Sequence, residues 1–326
     1  MLLLIERRQV TLILKFSIAI TALIYVVYLV DWERSIKVLR QADIRWLLSA
    51  FGLSLLGICF AAFRWVILLR AAQKLYSVVS AYRAYLTGTF YSLAMPGVIG
   101  GDATRIWLCH RAIDASISLV AATVLLERVL GVLALLFLLS VGISFFPITT
   151  RGLGVGIVPT LALSGLCGII ALPFLLRRFS ISQQFQGRCA DNRFITWVLK
   201  ASKGLAPLKT VRVTHLLSAL ILSVIFQLFD IAVTYSIAQA LEIKLSTSML
   251  LVAMPIVYLA TVLPISPGGL GVREGALVFV LAQFGISAAD AALLALTVFV
   301  NRAAVGVLGG LQYLVGGKKI SAKKVR

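Results

Sequence analysis

Apolar residues in this chain fall in long unbroken runs separated by short clusters of arginine and lysine. The runs near residues 10–30, 46–69, 118–146, 153–176, 214–240 and 288–315 are each long enough to cross a bilayer, which takes about 20 residues at 1.5 Å rise per residue. They predict an all-α integral membrane protein with about six full transmembrane helices, forming a single membrane domain over residues 1–326. The first run, Val10 to Val30, is too long for a signal peptide's apolar segment. Asp31-Trp32-Glu33 after it offers no small-residue cleavage site.

Two apolar pieces are shorter. One runs from about Ala84 to Met95, followed by a glycine-rich phrase and an amphipathic stretch to Arg111. The other runs from about Thr247 to Leu263, followed by a similar phrase and a short apolar run from Ala276 to Phe284. Each predicts a re-entrant helical hairpin that is apolar going in, turns at glycine and is apolar coming out. Irregular backbone at membrane depth persists only where protein or a wet cavity covers it.

The two turns share a phrase. Pro96 to Arg105 and Pro264 to Arg273 both read Pro-x-x-x-Gly-Gly-x-x-x-Arg. Self-similarity of this kind, with a helix break in each half, points to a binding site at a repeat interface. The repeats are expected at about 46–146 and 214–315, joined by the 153–176 span and a basic loop at 177–213.

Basic residues orient the chain. The 177–213 segment holds eight Lys or Arg and one acid, and the tail from Lys318 to Arg326 holds five and none. The opposite loop at 31–45 is balanced, with four basic and three acidic residues. By the positive-inside rule both termini face the cytoplasm, and the two repeats then run in opposite directions through the membrane. We expect a prokaryotic cytoplasmic (inner) membrane.

Composition narrows the classes further. Sixty per cent hydrophobic residues lies well above the roughly 45–50% of a soluble domain. The net charge of +19 is spread over inter-span segments, so it signals topology and not a nucleic-acid partner. Four cysteines and two histidines show no metal-ligand spacing, so no metal and no cofactor are expected.

Ionisable residues inside spans are costly, and they usually face a bundle interior, a partner or a water path. Here they are Arg64, Glu127, Arg128, Asp230 and Arg302, with Asp102, Arg105, Arg273 and Glu274 on the hairpin turns. Glu127-Arg128 follows the first phrase as Asn301-Arg302 follows the second. Neighbours on a helix point about 100° apart, so Glu127 and Arg128 need partners elsewhere, and the hairpin of their own half is the natural source. A structural pair of Arg64 with Asp230, or an Arg64 that snorkels to the cytoplasmic edge, is the plainer reading of those two.

The turns suit an anionic headgroup. Gly100, Gly101, Gly268 and Gly269 can present consecutive backbone N–H groups, or they can serve close helix packing. Arg105, Arg273, Arg128 and Arg302 supply planar forks for phosphate oxygens. Glu127, Glu274, Asp102 or Asn301 can meet a headgroup ammonium, and the carboxylates can also take up protons.

At these residues the chain resembles the lysylphosphatidylglycerol synthase transmembrane-region family. The resemblance is carried by Gly88-Thr89-Phe90 before Pro96, Gly100-Gly101-Asp102 with Arg105, Glu127-Arg128 with Gly131, the block from Pro264 to Gly275, and Asn301-Arg302. It implies two re-entrant hairpins and movement of a modified phospholipid or polyisoprenoid-linked lipid between leaflets. Fused members carry a soluble aminoacyl-transferase domain. This chain is expected to lack one, so synthase activity is not carried over.

Three readings stay open: a lipid flippase, an embedded enzyme acting on a lipid (di)phosphate with Ser266 and Glu274 as its reactive pair, and a scaffold for a lipid-modifying partner. The partner in every case is membrane lipid, with a homo-oligomer or a lipid-modifying enzyme as further company. Single cysteines placed in the 177–213 loop or in the tail should resist an impermeant thiol reagent in intact cells and react after lysis. Labelling of intact cells would reverse the orientation.

Overall fold

The computed structural model describes residues 17, 20–94, 99–145, 212–262, 266 and 269–322. The expected span at 153–176, nearly all of the basic loop, the start of the first run and Gly268 lie outside them. Among the described residues there are ten helices and no strand. They are α1 (Ile20–Leu29), α2 (Trp32–Gln41), α3 (Ile44–Ala71), α4 (Val78–Ala94), α5 (Ile99–Ile113), α6 (Ile117–Phe145), α7 (Val213–Ala240), α8 (Thr247–Val262), α9 (Val272–Gln283) and α10 (Ala288–Ala322).

Four of them, α3, α6, α7 and the Ala288–Val315 part of α10, are long and apolar enough to cross a membrane. They coincide with four of the six expected spans. The short pairs α4–α5 and α8–α9 flank the two glycine phrases. Each arm has 17 residues or fewer, about 25 Å of helix at most, which falls short of the roughly 30 Å hydrocarbon layer.

Three boundaries differ from expectation. Helix α4 begins at Val78, six residues early, and α9 begins at Val272, so Arg273 and Glu274 sit in its first turn. The 31–45 segment is not a plain loop, because it holds α2. Asp31 caps α2 by accepting from the Arg34 backbone N–H at 3.2 Å, and Asp43 caps α3 through Arg45 N–H at 2.8 Å.

The packing repeats itself across the halves α3–α6 and α7–α10. Helix α3 packs along α7, and every other substantial contact has a counterpart when the halves are exchanged. Thus α4–α10 matches α8–α6, α4–α5 matches α8–α9, α5–α6 matches α9–α10, and α6–α7 matches α10–α3. Likewise α3–α4 matches α7–α8 and α3–α6 matches α7–α10. At the α3–α7 crossing Gly57 lets the Phe229 Cβ approach, and the rings of Phe60 and Phe229 stack at 5.2 Å. These two phenylalanines hold the same position, the seventeenth, in two helices of 28 residues.

Small residues seat each hairpin arm on the last helix of the opposite half. Gly309 of α10 lies directly under the Leu86 carbonyl of α4. Gly142 of α6 lies under the Leu251 carbonyl of α8, which has no intrahelical donor because Pro255 stands four residues on. Close backbone approach through glycine is a common packing device in membranes. Gly309→Leu should therefore separate α4 from α10 and lower stability by about 1–3 kcal/mol, read as an earlier melting transition in detergent. An unchanged melt would show that the contact carries no weight.

Candidate functional site

Burying a charge in a bilayer is tolerable only beside its opposite, and the first half meets this requirement with a chain of alternating signs. Arg64 of α3 pairs with Glu127 Oε1 of α6, and Arg105 of α5 reaches Glu127 Oε2 at 3.3 Å. Arg105 also donates to Asp102 Oδ1 at 2.5 Å, and Arg128 Nε donates to Asp102 Oδ2 at 2.6 Å. The order is Arg64, Glu127, Arg105, Asp102, Arg128. Glu127 and Arg128 thus find partners on the hairpin of their own half, as their divergence on the helix requires.

Aromatic groups close this cluster. The Tyr85 hydroxyl of α4 donates to Glu127, and the Arg105 guanidinium lies 4.0 Å from the Tyr85 ring centroid and 5.2 Å from that of Trp65. Trp65 Nε1 donates to Thr123 Oγ1 at 3.1 Å. Arg64 donates across the halves to Ser223 Oγ of α7 at 3.0 Å. Arg64 is buried with these partners, so it neither snorkels nor forms an ion pair with Asp230.

In the second half Arg273 and Glu274 lie buried in the first turn of α9. Arg273 Nη2 donates to Glu274 Oε1 at 2.6 Å, and Glu274 Oε2 accepts the Gly271 N–H at 2.7 Å, half of a capping box. Asp230 of α7 interacts with Tyr258 of α8, with Arg273 and with Arg64. Arg64 is therefore shared between the two clusters. A cavity lined by Tyr258, Arg273, Glu274, Met254 and Leu277 holds about 10 Å³, room for about one water. Ser266, on the turn itself, is 2% exposed, and its Oγ has no hydrogen-bond partner among the described residues.

The shared phrase hides two backbone conformations. Gly100 and Gly101 are helical, in the first turn of α5, and a Cβ on Gly101 would stand 2.6 Å from the Gly88 carbonyl oxygen. Gly101 is a packing residue between the hairpin arms. Gly269 instead has φ +76° and Gly271 the same, a left-handed conformation that side chains resist. Asp102, Arg105, Arg273 and Glu274 likewise stand on helices and not on open turns.

Asn301 and Arg302 lie on α10 outside both clusters. Asn301 Nδ2 donates to Ser54 Oγ of α3 at 2.8 Å. Ser54 and Ser223 are both the eleventh residue of their helices, and each accepts from a donor in the opposite half, although the donor helices, α10 and α3, are not counterparts under exchange. Among the described residues Arg302 forms no ion pair and is half-buried. Sequence reasoning missed Tyr85, Trp65, Ser223 and Tyr258.

Among the described residues, ten helices, four of them apolar and of spanning length, with buried arginines on the helices that follow the two glycine phrases, define an integral membrane protein. Residues 12–310 match the family described as the lysylphosphatidylglycerol synthase TM region, and the chain belongs to it. It is 24% identical to a UPF0104 membrane protein of Methanocaldococcus jannaschii, over 98% of both chains. It is 32% identical to a UPF0104 membrane protein of Pyrococcus horikoshii over 36% of this chain and 37% of that one.

Removing Arg64 strands Glu127 beside one remaining guanidinium and a phenol. Arg64→Ala should cost about 3–5 kcal/mol in unfolding free energy, and Glu127→Gln added to it should recover part of that loss. Additive losses in the double variant would mean that the pair is not coupled.

Proposed function

We propose that the protein moves an anionic or modified phospholipid, or a polyisoprenoid-linked lipid, between leaflets, with its phosphate received at the second hairpin. The observation that carries this reading is the contrast between the two clusters. In the first, each carboxylate bridges two arginines and the ring of Tyr85 covers Arg105. In the second, the buried Ser266 hydroxyl has no partner among the described residues, and it stands on the phrase that leads into the helix start where Arg273 is buried. Serine and arginine donors with the free N–H groups of a helix start suit phosphate oxygens. Asp230, near Arg273 and without an ion pair of its own among the described residues, suits a headgroup that also carries a positive charge.

Two re-entrant hairpins in inverted repeats are the architecture that this reading needs. The exchange of helix contacts between halves supports it, as do arms too short to span. The arrangement is that of alternating-access transporters. A hydrolase reading would need Ser266 activated by Glu274, and both oxygens of that carboxylate are engaged by Arg273 and Gly271.

The test is exchange of fluorescent phosphatidylglycerol, its lysyl ester and an isoprenyl phosphate between leaflets of vesicles carrying the purified protein. Protein should accelerate exchange of at least one over empty vesicles. Arg273→Lys, which keeps charge without the fork, should slow it by about tenfold with an unchanged melt. Arg105→Lys should lower the melting temperature first. No acceleration of any of the three, or release of inorganic phosphate from an isoprenyl diphosphate, would overturn the proposal.

A further inference from the structure

Helix α2 has three distinct faces, although its ten residues make it only about 15 Å long. At 100° per residue Ser35 and Val38 fall together, and this is the side that meets the protein. Ser35 is buried and Val38 packs on the core cluster of the second half. Turning past them, Leu39, Trp32 and Ile36 fall within about 60° of one another, and they are 43%, 50% and 47% exposed. Beyond these come Arg40, Glu33, Lys37, Gln41 and Arg34, all exposed. The apolar sector therefore lies between a protein face and a charged face, with its centre about 130° from that of the charged face.

Water is a poor neighbour for three large apolar side chains in a row, and α2 is too short to span. Its flanks fix the depth. Tyr25 and Tyr28 stand exposed on α1 just before it, and Ile44 and Trp46 stand exposed at the start of α3 just after it. Tyrosine and tryptophan gather where headgroups meet acyl chains. Arg40 borders the apolar sector with a stem long enough to bring its charge to the phosphate level. Arg34 reaches back to Asp290 near the start of α10 at 3.1 Å, which pins α2 against the second half.

We propose that α2 lies along one membrane surface, seating Trp32, Ile36 and Leu39 in the boundary between lipid headgroups and acyl chains, with Glu33 and Lys37 in water. Its occupant is the bilayer. The aromatic flanks and the charged upper edge complement a headgroup layer, whereas a second copy of the chain would meet charge on one side of a 15 Å strip.

Spin labels on Ile36→Cys, Leu39→Cys, Glu33→Cys and Lys37→Cys test this in a chain whose four native cysteines are replaced, reconstituted in phosphatidylcholine–phosphatidylglycerol nanodiscs. Labels at 36 and 39 should be relaxed more by oxygen than by a water-soluble nickel chelate, and labels at 33 and 37 the reverse. Equal nickel access at all four positions would lift α2 off the membrane. Spin–spin broadening between protomers at 36 and 39 would assign the face to a second copy. Both outcomes sink the proposal. The unaltered chain gives an independent reading: a carbene-generating lipid should label the 32–41 peptide at its apolar positions, and an unlabelled peptide would also overturn it.

Discussion

A carboxylate buried at bilayer depth is affordable only if guanidinium groups reach it, and Glu127 shows how much structure that one condition fixes. Its two oxygens receive Arg64 from α3, Arg105 from α5 and the hydroxyl of Tyr85 from α4. Four helices are thereby held to a common point, and Arg64 extends the hold to α7 through Ser223. The cost of leaving any of these charges unmatched in a low dielectric far exceeds the dispersion contacts of a single apolar side chain. The hairpin of the first half is positioned by electrostatics as much as by packing.

The second half solves the same problem with fewer charges. Arg273 and Glu274 satisfy each other as sequence neighbours at a helix start, where the terminus also favours the carboxylate. Asp230 is near a phenol and two arginines and, among the described residues, closes no ion pair. The result is a looser centre in the same place of the repeat, beside a small cavity that Arg273, Glu274 and Tyr258 line. Two halves with matching helix contacts thus carry unlike chemistry, a chain of five linked charges in one and fewer charges in the other, and each leaves a buried donor unbonded among the described residues, Arg64 Nε in the first and Ser266 Oγ in the second.

Spans were legible because bilayer thickness imposes a length that few other constraints imitate, and α3, α6, α7 and α10 fall where their apolar runs do. The need of Glu127 and Arg128 for partners on their own hairpin was legible from the 100° between neighbours on a helix. Other features were not. Helix α2 reads as a mixed-charge loop because three faces compressed into ten residues leave no long run. Gly101 and Gly269 occupy the same place in a repeated phrase yet differ in backbone, since one is fixed by the arm beside it and the other by a turn. Tyr85, Tyr258 and Ser223 acquire their roles only when distant helices meet, and one chain read alone carries no record of that.

The glycine seats have a consequence for how the chain is made. Helix α4 rests on Gly309, more than 200 residues later in the sequence, and α8 rests back on Gly142. Neither half can therefore complete its packing alone. At about 5–20 residues per second, α4 waits roughly 10–40 s of synthesis for its partner to emerge. For that interval a short arm with a buried-type surface must be sheltered by the insertion machinery or by lipid, and α10, the last of the described helices to be made, locks both halves at once.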